Sequence, residues 1–175
     1  MTRFNQGWYL MYTRPKHEKK VAESLKDTGI EYYLPLIKEL RNWCDRRKYI
    51  DMPLFPSYVF VFLKDMKDYY EGLNTDGFLY YVKFENKVVR VSDAIIENIR
   101  LLISKGTDIE VTAEHFRPGQ QLVIYEGPFT GMNCEIVHVN GKEKVLVRVH
   151  LIQRNLLATL PVQALKSQGN LTTGA

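Results

Sequence analysis

The sequence predicts an α+β domain followed by a small all-β domain. Three observations carry that prediction. Up to about residue 104, strand-type runs alternate with stretches of helical periodicity. From residue 116 to 167 only short strand runs occur, separated by turn residues. Between them, residues 105–115 have few large apolar groups and no period, which reads as a linker. The first domain is placed at 6–104, the second at 116–167, and 168–175 is expected to be a disordered tail.

The elements of the first domain follow in order. Gly7–Thr13, GWYLMYT, is an aromatic-rich strand run. Pro15 suits the first position of a helix, where its missing N–H costs nothing. That helix runs to about Thr28 with Val21, Ala22 and Leu25 as its apolar stripe, and Gly29 occupies the C-cap position. EYYLPLIKEL is a second extended segment, and Pro35 within it argues for a sheet edge or a bulge. The polar RNWCDRRKYID reads as a flexible loop. PLFPSYVFVFL, Pro53–Leu63, is a strand with both faces apolar, since Tyr58, Phe60 and Phe62 alternate with Val59, Val61 and Leu63. Such a strand needs cover on both sides, whereas a sheet with helices on one face should alternate apolar with polar.

DMKDYYEGLN is a short helix closed by the turn residues NTDG. FLYYVKF and KVVRV form a hairpin about Glu85–Asn86. Ser92 and Asp93 open a helix whose buried face is Ile95, Ile99, Leu102 and Ile103. An antiparallel sheet with packed helices accommodates this order. In the second domain, Gln121–Tyr125, Cys134–Val139, Lys144–Leu151 and Leu156–Leu160 are strand runs, with Asn140–Gly141 as a hairpin signal. Short strands at that density suggest a small closed barrel, because closure removes exposed edges.

Composition narrows the function classes. A net charge of +4 and a pI near 9.0 suit an anionic partner. No apolar run is long enough to span a bilayer, the N-terminus lacks a signal-peptide pattern, and Cys44 and Cys134 belong to no metal-type cluster, so a reduced cytoplasmic protein is expected. His17, His115, His138 and His150 form no metal-binding spacing, and no nucleophile-elbow, phosphate-loop or dinucleotide fingerprint occurs. No catalytic residue, metal or cofactor is expected, and the chain reads as a binding protein.

Two basic segments point to nucleic acid. Arg14, Lys16, His17, Lys19 and Lys20 crowd the start of the first helix against one acid, Glu18. The helix dipole disfavours cations there, so an anion such as a phosphate would resolve the conflict. Arg46 and Arg47, with Lys48 and an interleaved Trp43, suit a loop that touches backbone and stacks bases. The competing reading of each segment is a solvated charged surface.

WYLMYTRPKHEKKVAESL, then PLFPSYVFV, then the Gly-Pro-Phe-x-Gly of Gly127–Gly131 in a β-rich tail resemble the NusG family of transcription elongation factors, from about Gly7 to Lys166. The resemblance implies an N-terminal NGN domain, with its antiparallel sheet and packed helices, and a KOW domain, an SH3-like β-barrel. It further implies docking on the β′ clamp helices of RNA polymerase through residues around Trp8, Tyr9, Phe55, Pro56, Tyr58 and Phe84. In specialised members such as RfaH the segment after the first strand contacts non-template DNA, which implicates Arg14, Lys16, His17, Lys19 and Lys20. The KOW domain is expected to recruit ribosomal protein S10 or another factor, with Phe129, Asn140 and Arg154 as candidates. A refolding of that domain into helices, as in RfaH, is not expected, because this tail is dense in Val and Ile. The R-N-W-x-D-R-R-K segment is similar to that of UpxY-type antiterminators of polysaccharide operons. The alternatives are a general elongation and termination factor of the same family, or a ribosome-associated KOW protein that binds RNA.

Overall fold

The strand with two apolar faces sits where such a strand must, inside a sheet. The computed structural model describes residues 4–43, 46–105, 107–112, 114, 120–123, 133–139, 142–149 and 152–159. The chain divides into two compact units, Met1–Asp93 and Ala94–Ala175. In the first, β1 (Gly7–Thr13), β2 (Glu31–Tyr33), β5 (Tyr58–Leu63) and β6 (Phe78–Tyr81) form an antiparallel sheet in the order β2-β5-β1-β6. The register sets Tyr9 opposite Val61 and Met11 opposite Val59, so these four share a face with Leu63 and Tyr81. Helix α1 (Glu18–Asp27) packs Val21 and Leu25 on that face, and Ile30 joins the same core.

Helix α1 begins at Glu18; Pro15 lies in the turn before it rather than at its first position. Lys16 in that turn has φ +65°, a conformation that cannot continue into a helix. The helix ends as Gly29 suggested. Gly29 adopts φ +75°, its N–H reaches the Lys26 carbonyl, and the Ile30 N–H reaches the Leu25 carbonyl at 3.0 Å, a Schellman closure whose hydrophobic contact is Leu25 with Ile30. Helix α2 (Met66–Leu73) starts at Asp65, which accepts from the Asp68 N–H at 3.0 Å, while Asp68 accepts from the Lys64 N–H.

Residues 41–43 and 46–51 are strand rather than loop, and 44–45 lie outside the described residues. The strands β3 (Leu36–Trp43) and β4 (Arg46–Pro53) pair over their whole lengths as a separate two-stranded ribbon, from Leu36 opposite Pro53 to Trp43 opposite Arg46. Pro35 ends the preceding strand, and its carbonyl accepts from the Leu54 N–H, closing the base of the ribbon. The hairpin at Glu85–Asn86 is present, both residues having φ near the left-handed region, as a type I′ turn demands. Its arms are shorter than expected: β7 is Lys83–Phe84 and β8 is Lys87–Val88, with Val91 bridging separately to Trp8.

The second unit holds nearly all of α3 (Asp93–Lys105), whose buried stripe is Ile96, Ile99 and Leu102 rather than one centred on Ile95 and Ile103. Its strands are β9 (Thr107–Thr112), β10 (Gln120–Val123), β11 (Asn133–Val139), β12 (Lys142–Val149) and β13 (Arg154–Thr159), in the antiparallel order β10-β11-β12-β13-β9. Thr107–Thr112 falls in the stretch read as a linker, yet it pairs with β13, with Val111 opposite Leu156. The alternation of Ile109 and Val111 with acids is a strand period too short to stand out in the sequence. Among the described residues β9 and β10 are the two edges, and no pairing closes the sheet into a barrel. The fold is α+β throughout, with every strand pair antiparallel.

Candidate functional site

The second face of the first sheet is largely aromatic. Because Tyr12 lies opposite both Tyr58 and Tyr80, three phenols meet in one row. Tyr12 stacks on Tyr80 with ring centroids 4.9 Å apart and meets Tyr58 edge-on at 5.1 Å. Further along the same face Leu10 and Phe60 are fully buried, and Trp8 packs edge-on against Phe62. The row therefore runs from a buried end to an open one. Tyr80 is 50% exposed, and Phe84 on β7 is 65% exposed.

This placement sorts the residues expected on a docking face. Trp8, Tyr9 and Phe55 are each at most 5% exposed, so their rings are packed in the core. Tyr9 faces the helices and donates its hydroxyl to the Asn5 carbonyl. Phe55 packs edge-on against Phe60. Pro56, Tyr58 and Phe84 reach the surface. Tyr12 and Tyr80 were missed, although the pairing of their strands would have put them beside Tyr58.

The basic turn is held by the backbone. The Thr13 N–H donates to the Ser57 carbonyl and the Arg14 N–H to the Gly77 carbonyl, both at 2.8 Å. Arg14, Lys16, Lys19 and Lys20 are exposed and His17 is half-buried, its Nδ1 3.2 Å from the Pro15 carbonyl. Two of the cations already have internal partners. Lys19 Nζ donates to the Asp51 carbonyl at 2.7 Å, and Lys20 pairs with Asp76. The hydrogen bond and charge of Lys20 hold the Asp76 carboxyl below the ordinary carboxylate range. Glu18, the single acid of this segment, is 5% exposed, and its Oε1 accepts the Ser57 N–H at 2.6 Å.

The ribbon carries the second basic segment. Its strand period places Arg41 directly opposite Lys48, a like-charge pair that is unfavourable on its own. The other face sets Leu40 opposite Tyr49, 43% and 64% exposed, and Asn42 opposite Arg47. Arg47 is exposed; the side chains of Trp43 and Arg46 lie outside the described set. Where ribbon and turn meet, a cleft of about 580 Å³ opens between Lys16, Glu18, Arg41 and Met52.

In the second unit Arg154 is exposed at the start of β13, whereas Phe129 and Asn140 lie outside the described residues. Arg148 grips Glu135 with two hydrogen bonds of 2.7 and 2.9 Å, which raises the guanidinium pKa further. Burial, with the Glu135 charge, pushes the Cys134 thiol up to about 11, which makes it inert. Among the described residues no group of His, Cys, Asp or Glu could hold a metal, and no helix is long and apolar enough to cross a membrane.

The family profile described as "Transcription termination factor nusG" matches residues 6–100. A protein of Streptococcus pyogenes serotype M3 described as "Transcription termination/antitermination protein NusG" is 24% identical over 160 residues, 83% of this chain and 88% of that one. A protein of the same description from Lactococcus lactis is 25% identical over 165 residues, 86% of this chain and 87% of its own length. A solved structure described as "Domain interaction in Thermotoga maritima NusG" is 22% identical, covers 89% of this chain and 93% of that one, and superposes with a TM-score of 0.46.

Proposed function

This chain belongs to the NusG family of transcription termination and antitermination factors, which are not enzymes, and from that premise we propose that it binds the β′ clamp helices of elongating RNA polymerase and touches the non-template DNA strand. The observation that carries this reading is the open end of the aromatic face, where Tyr12, Tyr58 and Tyr80 sit half-covered in a row. A monomer gains nothing by leaving such a row wet, and apolar patches of this kind mark partner sites. Pro56, Tyr58, Tyr80 and Phe84 form the docking set. Trp8, Tyr9 and Phe55 support it from beneath. The cations of the turn, Arg14, Lys16, His17, Lys19 and Lys20, together with Arg46 and Arg47 of the ribbon, face the DNA. The protein works in the cytoplasm, where the polymerase is.

Action on particular operons, such as those for surface polysaccharides, is the finer reading, and the basic ribbon supports it. The names of the curated relatives favour a general elongation and termination role instead. Transcript profiling with and without the protein separates the two: loss of distal transcripts confined to a few long operons supports specialisation, and a diffuse change supports the general role. The second unit, through Arg154 and its neighbours, recruits ribosomal protein S10 or another factor.

Docking is tested by the double change Tyr80→Asp with Phe84→Asp. Both rings are at least half exposed, so the fold tolerates the charges. Retention on immobilised elongation complexes should fall by roughly thirtyfold or more, the effect of losing an interface hot spot. A folded double variant that is retained like the wild type would refute docking at this face.

A further inference from the structure

We propose that the cleft between the basic turn and the ribbon is a nucleotide site selective for guanine, with Glu18 as the residue that reads the base. The proposal rests on the reading that this domain meets a nucleic-acid strand, and it deepens it. The shared chemistry is a phosphorylated nucleoside, supplied either by a single strand or by a free nucleotide.

Three features of the cleft converge on that ligand. Its volume of about 580 Å³ lies within the range of small-molecule sites. Its apolar lining includes Met52, Pro53 and Pro56, side chains suited to the face of a planar base. Lys16, Lys19 and Arg41 line the cleft against the one further acid Asp51, Arg41 lying 3.7 Å from Glu39 and Lys19 keeping N–H groups beyond the one given to the Asp51 carbonyl. These cations suit a phosphate.

Glu18 supplies the specificity. It lines the cleft although it is 95% buried as a residue, being 5% exposed. Its Oε1 is fixed by the Ser57 N–H at 2.6 Å, and among the described residues Oε2 has no hydrogen-bond partner, while no buried side-chain oxygen lacks one. Oε2 is therefore not sealed from solvent, and Glu18 lines the cleft. Non-glycine residues with positive φ flank the carboxylate, Lys16 at +65° and Ser57 at +67°, a conformation uncommon enough to suggest that the backbone is shaped for the cleft. Guanine presents N1–H and N2–H side by side to a carboxylate. Thymine and uracil present one N–H between two carbonyl oxygens, which a carboxylate repels. Adenine and cytosine present an amino group beside a ring acceptor.

Fluorescence anisotropy with the full chain compares a labelled thymidine tract with the same tract carrying one guanine. In parallel, GMP and TMP are titrated against the ¹³C-methyl signal of Met52. The wild type should bind the guanine tract roughly tenfold tighter, since guanine offers Oε2 two adjacent N–H groups and thymine one N–H flanked by carbonyl oxygens. Glu18→Gln keeps an acceptor for the Ser57 N–H and should bring that ratio to about one. Should this variant fail to melt cooperatively, Met52→Trp, which puts a larger side chain into the cleft lining, must abolish the ratio instead. Tract binding with a wild-type ratio of one and a silent Met52 methyl overturns the cleft site while leaving the strand reading standing. A Met52 shift with GMP but not TMP, and no tract binding at all, keeps the cleft site, names a free nucleotide as its ligand, and removes the strand reading. Neither tract binding nor a Met52 shift overturns both.

Discussion

The two basic segments of the first unit are built in opposite ways. The turn before α1 is woven into the sheet. Its backbone is bonded to Ser57 and Gly77, its acid is buried under Ser57, and two of its lysines are held by Asp51 and Asp76. The ribbon β3–β4 pairs only with itself, and its Arg41 and Lys48 face one another. An isolated two-stranded hairpin is marginal in water. Placing like charges across it weakens it further. The turn is thus a rigid platform with two lysines engaged by other elements, and the ribbon is a compliant arm whose Arg41 has only Glu39 of its own strand beside it, at 3.7 Å.

The largest expected effect comes from breaking the platform. Glu18→Ala leaves the buried Ser57 N–H without an acceptor and should destabilise the first unit by ~1–3 kcal/mol. A lower denaturant midpoint at unchanged m-value checks this, and an unaltered midpoint would mean that the turn does not depend on its acid. Next is the salt dependence of strand binding. Removing Arg41, Arg47 and Lys48 together should flatten the slope by about 0.7 per cation lost, the single-strand value. Lys19→Ala with Lys20→Ala should change it less per residue, since those ammonium groups have protein partners. Equal changes per residue would erase the distinction between arm and platform.

A smaller effect sharpens the same contrast from the other side. Lys48→Glu opposite Arg41 exchanges repulsion for attraction while leaving the Arg41–Glu39 pair in place, and should stabilise the ribbon by ~0.2–1 kcal/mol, read as slower amide exchange in β3 and β4. It should at the same time weaken strand binding. The smallest effect is a titration. Asp76 has a folded-state pKa held below its ordinary value by Lys20, so their pairing is complete above the ordinary carboxylate range and is lost as pH falls through the depressed value. In Lys20→Ala the Asp76 carboxyl signal should titrate at higher pH. If it does not move, Lys20 is not its partner in solution.

The same contrast explains what the sequence could disclose. Strand β1, strand β5 with its two apolar faces, the α1 stripe ending at Gly29 and the hairpin turn at Glu85–Asn86 were all legible, because each combines a clear period with a residue of restricted backbone. The ribbon was not. Its alternation of Leu40 with Arg41 and Tyr49 with Lys48 is masked by charge on both faces, so polarity suggested a loop where period two was present. Strand β9 was hidden for a related reason, two aliphatic residues being too few to establish a period. At the site, composition identified the cations but not which were engaged, and it passed over Glu18 as a lone acid among bases. Its role depends on Ser57, thirty-nine residues away in the chain. Burial divided the aromatics, and burial of Trp8, Tyr9 and Phe55 is a tertiary property that no local pattern encodes.

Helix α2 supplies a final consequence, one that belongs to genetics. Gly72 on that helix faces the sheet so closely that a methyl group there would strike the Tyr81 hydroxyl and the Met11 side chain. That hydroxyl donates to the Tyr69 carbonyl on the same helix, so the position has no room to yield without losing a bond in the core. Gly72 is buried, on the opposite side of the sheet from the Tyr12–Tyr80 row. Alanine at residue 72 would leave every proposed contact surface chemically intact while loosening the core beneath it. It is the natural place for a temperature-sensitive allele: a strain carrying it would have the protein at low temperature and lose it on warming, so its targets could be found by shifting a culture rather than deleting a gene.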